Sequence, residues 1–159
     1  MLMRFVVGLC LVMAAAAGCE STGVPLVCSN ALSAPEYGFE LTVPAAFQCA
    51  DVLTNPTSLS NVGYREASTN RTASVQVNMP QNGTIEEGVN NEMLGSLTND
   101  QGFTFERQKV TLQGIGISYV AGTTLDSGNI LFVTVSGGED DPALLETLDA
   151  IIATVAASS

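Results

Sequence analysis

Residues 119–136 read YVAGTTLDSGNILFVTVS. Two runs rich in apolar and β-branched residues flank Asp126-Ser127-Gly128-Asn129, a cluster of turn-forming residues. The stretch predicts two strands joined by a turn. Ile115, Ile117 and Tyr119 alternate with other residues and open the first strand. Ile130 to Val135 is apolar at nearly every position, the pattern of a strand covered on both faces. Such a strand needs a layer on each side, so the fold must supply covering elements for both.

The first cover lies directly downstream. Asp141 can cap a helix with Pro142 at its first position. Leu144, Leu145, Leu148, Ile151, Ile152 and Val155 form the buried stripe of that helix. The second cover is expected upstream. Thr84-Ile85-Glu86-Glu87 has the form of a capping box, with Ile85, Val89, Met93, Leu94 and Leu97 on one helical face and a stop at Asn99 to Gly102. Phe103 and Phe105 share one parity and Val110 and Leu112 the other, which predicts a bulge or break between them.

Two clean strands precede this region. Tyr37, Phe39, Leu41 and Val43 alternate with Gly38, Glu40 and Thr42, and Pro44 ends the run. Ala73, Val75, Val77 and Met79 alternate with Thr72, Ser74, Gln76 and Asn78, and a weaker strand is expected at Val62 to Glu66. The order is strands, helix, strands, helix. It predicts an α+β fold: a mostly antiparallel sheet flanked by two amphipathic helices. Residues 20–35, ESTGVPLVCSNALSAP, are dominated by small and turn-forming residues and read as a tether.

In this order, YGFELTVPAAF, ASVQVNM, YVAGTTLDSGNILFVTVS and the last amphipathic helix resemble the PsbP-like domains, to which DcrB-type bacterial lipoproteins are similar in fold. The resemblance covers about Glu36 to Val155 and implies an α/β/α sandwich. Phe47 stands where many members have tryptophan, and this chain has no tryptophan.

The bulk composition sorts function classes. Of the 159 residues, 46% are hydrophobic and 13% charged, which excludes a disordered chain and allows one domain with a real core. Sixteen acids face five bases, giving a net charge of −11. Binding to nucleic acid or to anionic lipid by charge needs clustered Lys and Arg, so neither is expected. Histidine is absent. Ser–His and Cys–His nucleophile pairs and histidine-based zinc sites are therefore unavailable within one chain.

The first eighteen residues, MLMRFVVGLCLVMAAAAG, hold Arg4 and then an apolar stretch from Phe5 to Ala17. That stretch is shorter than the about 20 residues a membrane span requires. A positive start, an apolar middle and small residues after it predict an export signal at residues 1–18. Ala15-Ala16-Ala17 offers an ordinary Ala-x-Ala cleavage site. Ala16-Ala17-Gly18-Cys19 resembles the lipobox of bacterial lipoproteins, although Ala16 stands where leucine is usual. The resemblance implies that Cys19 is acylated, palmitate being one such chain, and becomes the new N-terminus. It also implies a lipidated tether at 19–35 and one PsbP-like domain at 36–157. In the same family an aspartate after the cysteine often retains the protein at the inner membrane, so Glu20 points to the outer membrane, facing the periplasm.

Cys10 lies in the export signal and Cys19 would carry lipid, which leaves Cys28 and Cys49 as an even pair in an oxidising compartment. Their disulfide would close a loop of about 20 residues and contribute about 3 kcal/mol.

Glu139, Asp140 and Asp141, in SGGEDDP, are the candidate ligands for a cation such as Ca²⁺. They lack the alternating oxygen ligands of a calcium loop, and acids also favour a helix N-terminus. No metal and no cofactor is expected. Glu86, Glu87 and Glu106 could supply acid–base chemistry in number, but not in pattern. Asn70-Arg71-Thr72 and Asn82-Gly83-Thr84 match glycosylation sequons and read as a strand start and a turn before a helix cap. The expectation is a lipid-anchored, non-catalytic envelope protein that binds or helps assemble another envelope component. The alternative is a secreted protein of the same fold with small-ligand binding or a carboxylate-based activity.

Overall fold

In a computed structural model of the chain, residues 23–50, 58–80 and 90–159 are described. The hairpin read from the sequence is present as β8 (Gly116–Thr124) and β9 (Ile130–Gly137), paired antiparallel with Tyr119 opposite Val135 and Ala121 opposite Val133. The Leu125 amide donates to the Asn129 carbonyl at 2.8 Å and closes the turn.

Strand β9 sits inside a seven-stranded antiparallel sheet of order β3-β4-β5-β9-β8-β7-β6. The other members are β3 (Phe47–Ala50), β4 (Ser58–Glu66), β5 (Thr72–Asn78), β6 (Asn91–Thr98) and β7 (Thr104–Leu112). A small sheet joins β1 (Ala31–Ala34), β2 (Phe39–Thr42) and β10 (Ala156–Ala157), in the order β1-β2-β10. The helix α1 runs from Pro142 to Ala153.

One face of the large sheet carries the core. Val75, Val77, Leu131, Val133, Val135 and Ala121 are fully buried there, in one cluster with Phe39 and Leu41 of the small sheet. Helix α1 adds Leu144, Leu148, Ile151 and Ile152 at helical spacing. Each such buried Leu or Ile contributes about 2 kcal/mol of transfer free energy. On the opposite face Phe132 and Thr134 are half-buried, so the two sides of β9 are covered unequally.

Asp141 caps α1 as expected. Its backbone is extended and its carboxylate accepts from the Ala143 amide at 2.9 Å. The far end is served by Asn99, a buried residue of the β6–β7 turn. Its Nδ2 donates to the carbonyls of Ile152 and Val155 at 2.9 and 2.8 Å, and its Oδ1 accepts from the amides of Gln101 and Phe103. One side chain thus satisfies two carbonyls at the helix end and two amides of a turn, with none of its capacity unused.

Several expectations need correction. The α+β class and the antiparallel sheet hold, but α1 is the one helix among the described residues. Met93, Leu94 and Leu97, read as a helical stripe, lie in β6 and pair with β7. The reason is a register shift between Met93 and Gly95. An extra residue in a strand lets positions three apart, Leu94 and Leu97, both pack against the core, which imitates a helical repeat. Gly95 adopts φ +81°, a conformation open to glycine at little cost. Strand β7 itself runs unbroken, so the irregularity expected there belongs to its neighbour. The capping box at Thr84 to Glu87, with Ile85 and Val89, lies outside the described residues.

The fold also begins earlier than Glu36. Residues 31–34 form β1, with Leu32 and Ala34 buried. Asn30 Nδ2 donates to the carbonyls of Val43, Pro44 and Phe47. The phenol of Tyr64 donates to Ser29 O at 2.8 Å, and burial pushes its pKa up to about 12. Cys28 and Cys49 are joined by a disulfide with a Cα–Cα distance of 5.9 Å. The second part of the expected tether is therefore folded. At the other end, α1 stops at Ala153, and buried Val155 follows the helix rather than ending it.

Replacing Asn99 by alanine removes four hydrogen bonds, among them the one to the carbonyl of Val155, a fully buried residue. We expect Asn99→Ala to lower unfolding free energy by about 3 kcal/mol, read from urea denaturation, with the m-value unchanged.

Candidate functional site

The acidic run that ends β9 and starts α1 lies beside a cleft of about 420 Å³. Its other wall is the turn between β4 and β5, with Thr69 and Arg71. Thr72 opens β5, so the first sequon does mark a strand start and leaves Arg71 at the rim.

Cations of the sheet meet the acids of the loop and helix. Arg71 binds Asp141 and lies 3.8 Å from Glu66. Lys109 Nζ is 2.5 Å from Asp140 Oδ2, and the Tyr119 hydroxyl donates to Asp140 Oδ1 at 2.8 Å. Arg107 binds Asp149 of α1 at 2.9 and 3.0 Å. The placement follows from strand alternation. Phe105, Arg107 and Lys109 share one face of β7 (Phe105 is buried in the core), and the two cations reach along that face to the helix and its loop.

The candidate ligands are brought into one loop but aimed apart. Asp140 turns to β7 and β8, Asp141 turns to β5 and to its own helix, and Glu139 is exposed. A calcium ion needs six to eight oxygens converging at about 2.3–2.6 Å. Among the described residues no three Asp, Glu, Cys or His side chains are grouped to hold a metal. Glu106 lies elsewhere, accepting from Ser96 Oγ at 2.6 Å across the β6–β7 pair. Glu86, Glu87 and Cys19 lie outside the described residues.

The electrostatics follow the contacts. The hydrogen bond from Lys109, then that from Tyr119, holds the Asp140 carboxyl below the usual aspartate range. The same bond to Asp140 raises the Lys109 ammonium. Burial, then the Asp140 contact, raises the Tyr119 phenol. The arrangement fastens helix to sheet with charge-assisted bonds. Sequence reading missed Arg71, Lys109, Arg107 and Tyr119. The shared parity of Phe105, Arg107 and Lys109 was the available signal.

No protein-family model matches the chain, and no curated protein matches it. Among solved structures, the chain is similar to the solution structure of cyanobacterial PsbP (CyanoP) from Synechocystis sp. PCC 6803. The TM-score is 0.54 at 16% sequence identity, over 89% of this chain and 98% of that one. The fold is PsbP-like. At this identity the likeness concerns the path of the chain, and no residue role passes across it. The PsbP-like path expected from the order of elements is thus present, with the third sheet-covering layer not among the described residues.

A depressed aspartate pKa contributes stability that is present above its unfolded value, about 3.9, and is lost as pH falls through the lower folded value. The Asp140 contacts should therefore act fully at neutral pH and fade only below about pH 4. In Lys109→Met the Asp140 carboxyl should titrate closer to its ordinary value, as followed by carbon-13 NMR. An unchanged titration would show that Lys109 does not set it.

Proposed function

We propose that the protein is a lipid-anchored, non-catalytic module of the bacterial cell envelope that binds or helps assemble another envelope component. The observation that carries this reading is Ala16-Ala17-Gly18-Cys19 directly after the apolar run. Small residues before a cysteine suit acylation of its thiol, and two or more acyl chains make anchoring stable, at about 0.8 kcal/mol per buried CH₂. The pairing of Cys28 with Cys49 supports it, because Cys19 is then the one cysteine of the processed chain outside a disulfide.

The commitment of Asp140, Asp141 and Asp149 to cations favours binding over catalysis. A general acid or base needs a carboxylate poised towards a substrate, whereas these three hold the helix on the sheet. With few cations and a net charge of −11, the protein would hold to the membrane through its lipid rather than through its surface.

Intact mass of the protein isolated from its host membranes tests the reading. A chain starting at Cys19 with added acyl mass is the expected result, and Cys19→Ser should move the protein to the soluble fraction. An unmodified chain starting at Gly18 would sink the proposal in favour of plain secretion.

A further inference from the structure

Resting on that anchoring reading, we propose that the end of the large sheet where β4 begins and β5 ends lies against the bilayer, and that the β7–β8 hairpin tip points away from it. The partner of this surface is a lipid head-group layer.

The argument begins at Gly23. A Cβ on Gly23 would fall 2.2 Å from the Leu59 carbonyl oxygen and 2.7 Å from the Tyr37 hydroxyl, so the chain is pressed against the start of β4 here. From this point it climbs along β4 in order. Tyr37 donates to Val24 O at 2.8 Å, the Leu26 amide donates to Ser60 Oγ at 2.7 Å, and Tyr64 donates to Ser29 O. The Cys28–Cys49 disulfide then fixes the segment covalently to β3. Gly23 therefore lies at one end of the sheet, not at its middle.

Only Glu20, Ser21 and Thr22 separate the acylation site from Gly23. A chain spans at most about 3.6 Å per residue, so Gly23 lies within about 15 Å of Cys19. A tether that short leaves the domain little freedom to turn its attachment corner away from the membrane.

That corner is suited to a lipid surface. Val24 is 45% exposed and Met79, which follows Asn78 opposite Ser58, is 37% exposed. Two acidic turns, with Asp100 and Asp126, lie at the same end further along the sheet. They favour contact by the β4–β5 corner and a zwitterionic rather than anionic surface. At the opposite end, Leu112 and Ile115 of the β7–β8 tip are 43% and 77% exposed. Strands rise about 3.3 Å per residue, which places that tip about 30 Å from the corner. The short tether thus presents the apolar tip to the aqueous side.

The chain has no tryptophan, so single introduced tryptophans report without background. Full-length acylated Met79→Trp, Val24→Trp and Ile115→Trp proteins are placed in phosphatidylcholine vesicles with brominated acyl chains. We expect all three to float with the vesicles, the first two to lose most of their emission, and Ile115→Trp to keep it. Inserting a ten-residue Gly-Ser segment after Glu20 should restore the emission of Met79→Trp. If the proteins float but neither corner tryptophan is quenched, or Ile115→Trp is quenched instead, the orientation is overturned and the anchor stands. If none floats, the anchoring reading fails and this inference with it.

Discussion

Strand β9 lies between β5 and β8, and every other part of the sheet is attached through one of those two. Its Leu131, Val133 and Val135 are fully buried under α1 and the small sheet. Hydrogen bonds along β9 hold two halves of the sheet together, but net stabilisation comes from removing those side chains, with Leu144, Leu148, Ile151 and Ile152, from water. The helix can do this only where its own ends are satisfied. Asp141 does so at one end and Asn99, from a distant turn, at the other. The core and the caps are thus one constraint, since loss of either cap would expose or strand backbone beside this central strand.

The charges show a second layer of the same arrangement. The chain has few cations, and Arg71, Arg107 and Lys109 lie on the rim of the helix-covered face, where each meets an aspartate of α1 or its leading loop. Exposed ion pairs contribute little singly. Here they tie the helix and its leading loop to two places on the sheet, because Arg107 and Lys109 lie in β7 and Arg71 lies just before β5. Sixteen acids against five bases leave the chain strongly negative.

Much of the fold was legible in local patterns. Alternation located β2, β5 and β8, an apolar run located β9, and the Asp141-Pro142 pair with its apolar stripe located α1, because those features report burial directly. The region from Met93 to Leu97 was not legible, since a bulged strand places residues three apart on one side, as a helix does. The segment from Cys28 to Ala34 was also misread. Its small residues carry little apolar signal, and its order comes from partners far along the chain: Cys49, Tyr64, and the carbonyls that Asn30 binds. At the candidate site, the acids were visible as a run, but their partners were not. Nothing local ties Arg71 to Asp141 or Lys109 to Asp140.

The sequence by itself determined the class of fold, the start of α1, the pairing of Cys28 with Cys49, and the residues that a lipid anchor would use. Each of these depends on neighbours along the chain or on counting residue types. Only the tertiary structure decided where the cations meet the acids, that β6 is a strand, and that the residues before Glu36 already belong to the fold. These depend on strand order, and strand order brings together residues whose separation in sequence carries no periodic trace. The segment before β1 is the clearest case, because its order exists only once it has found β4.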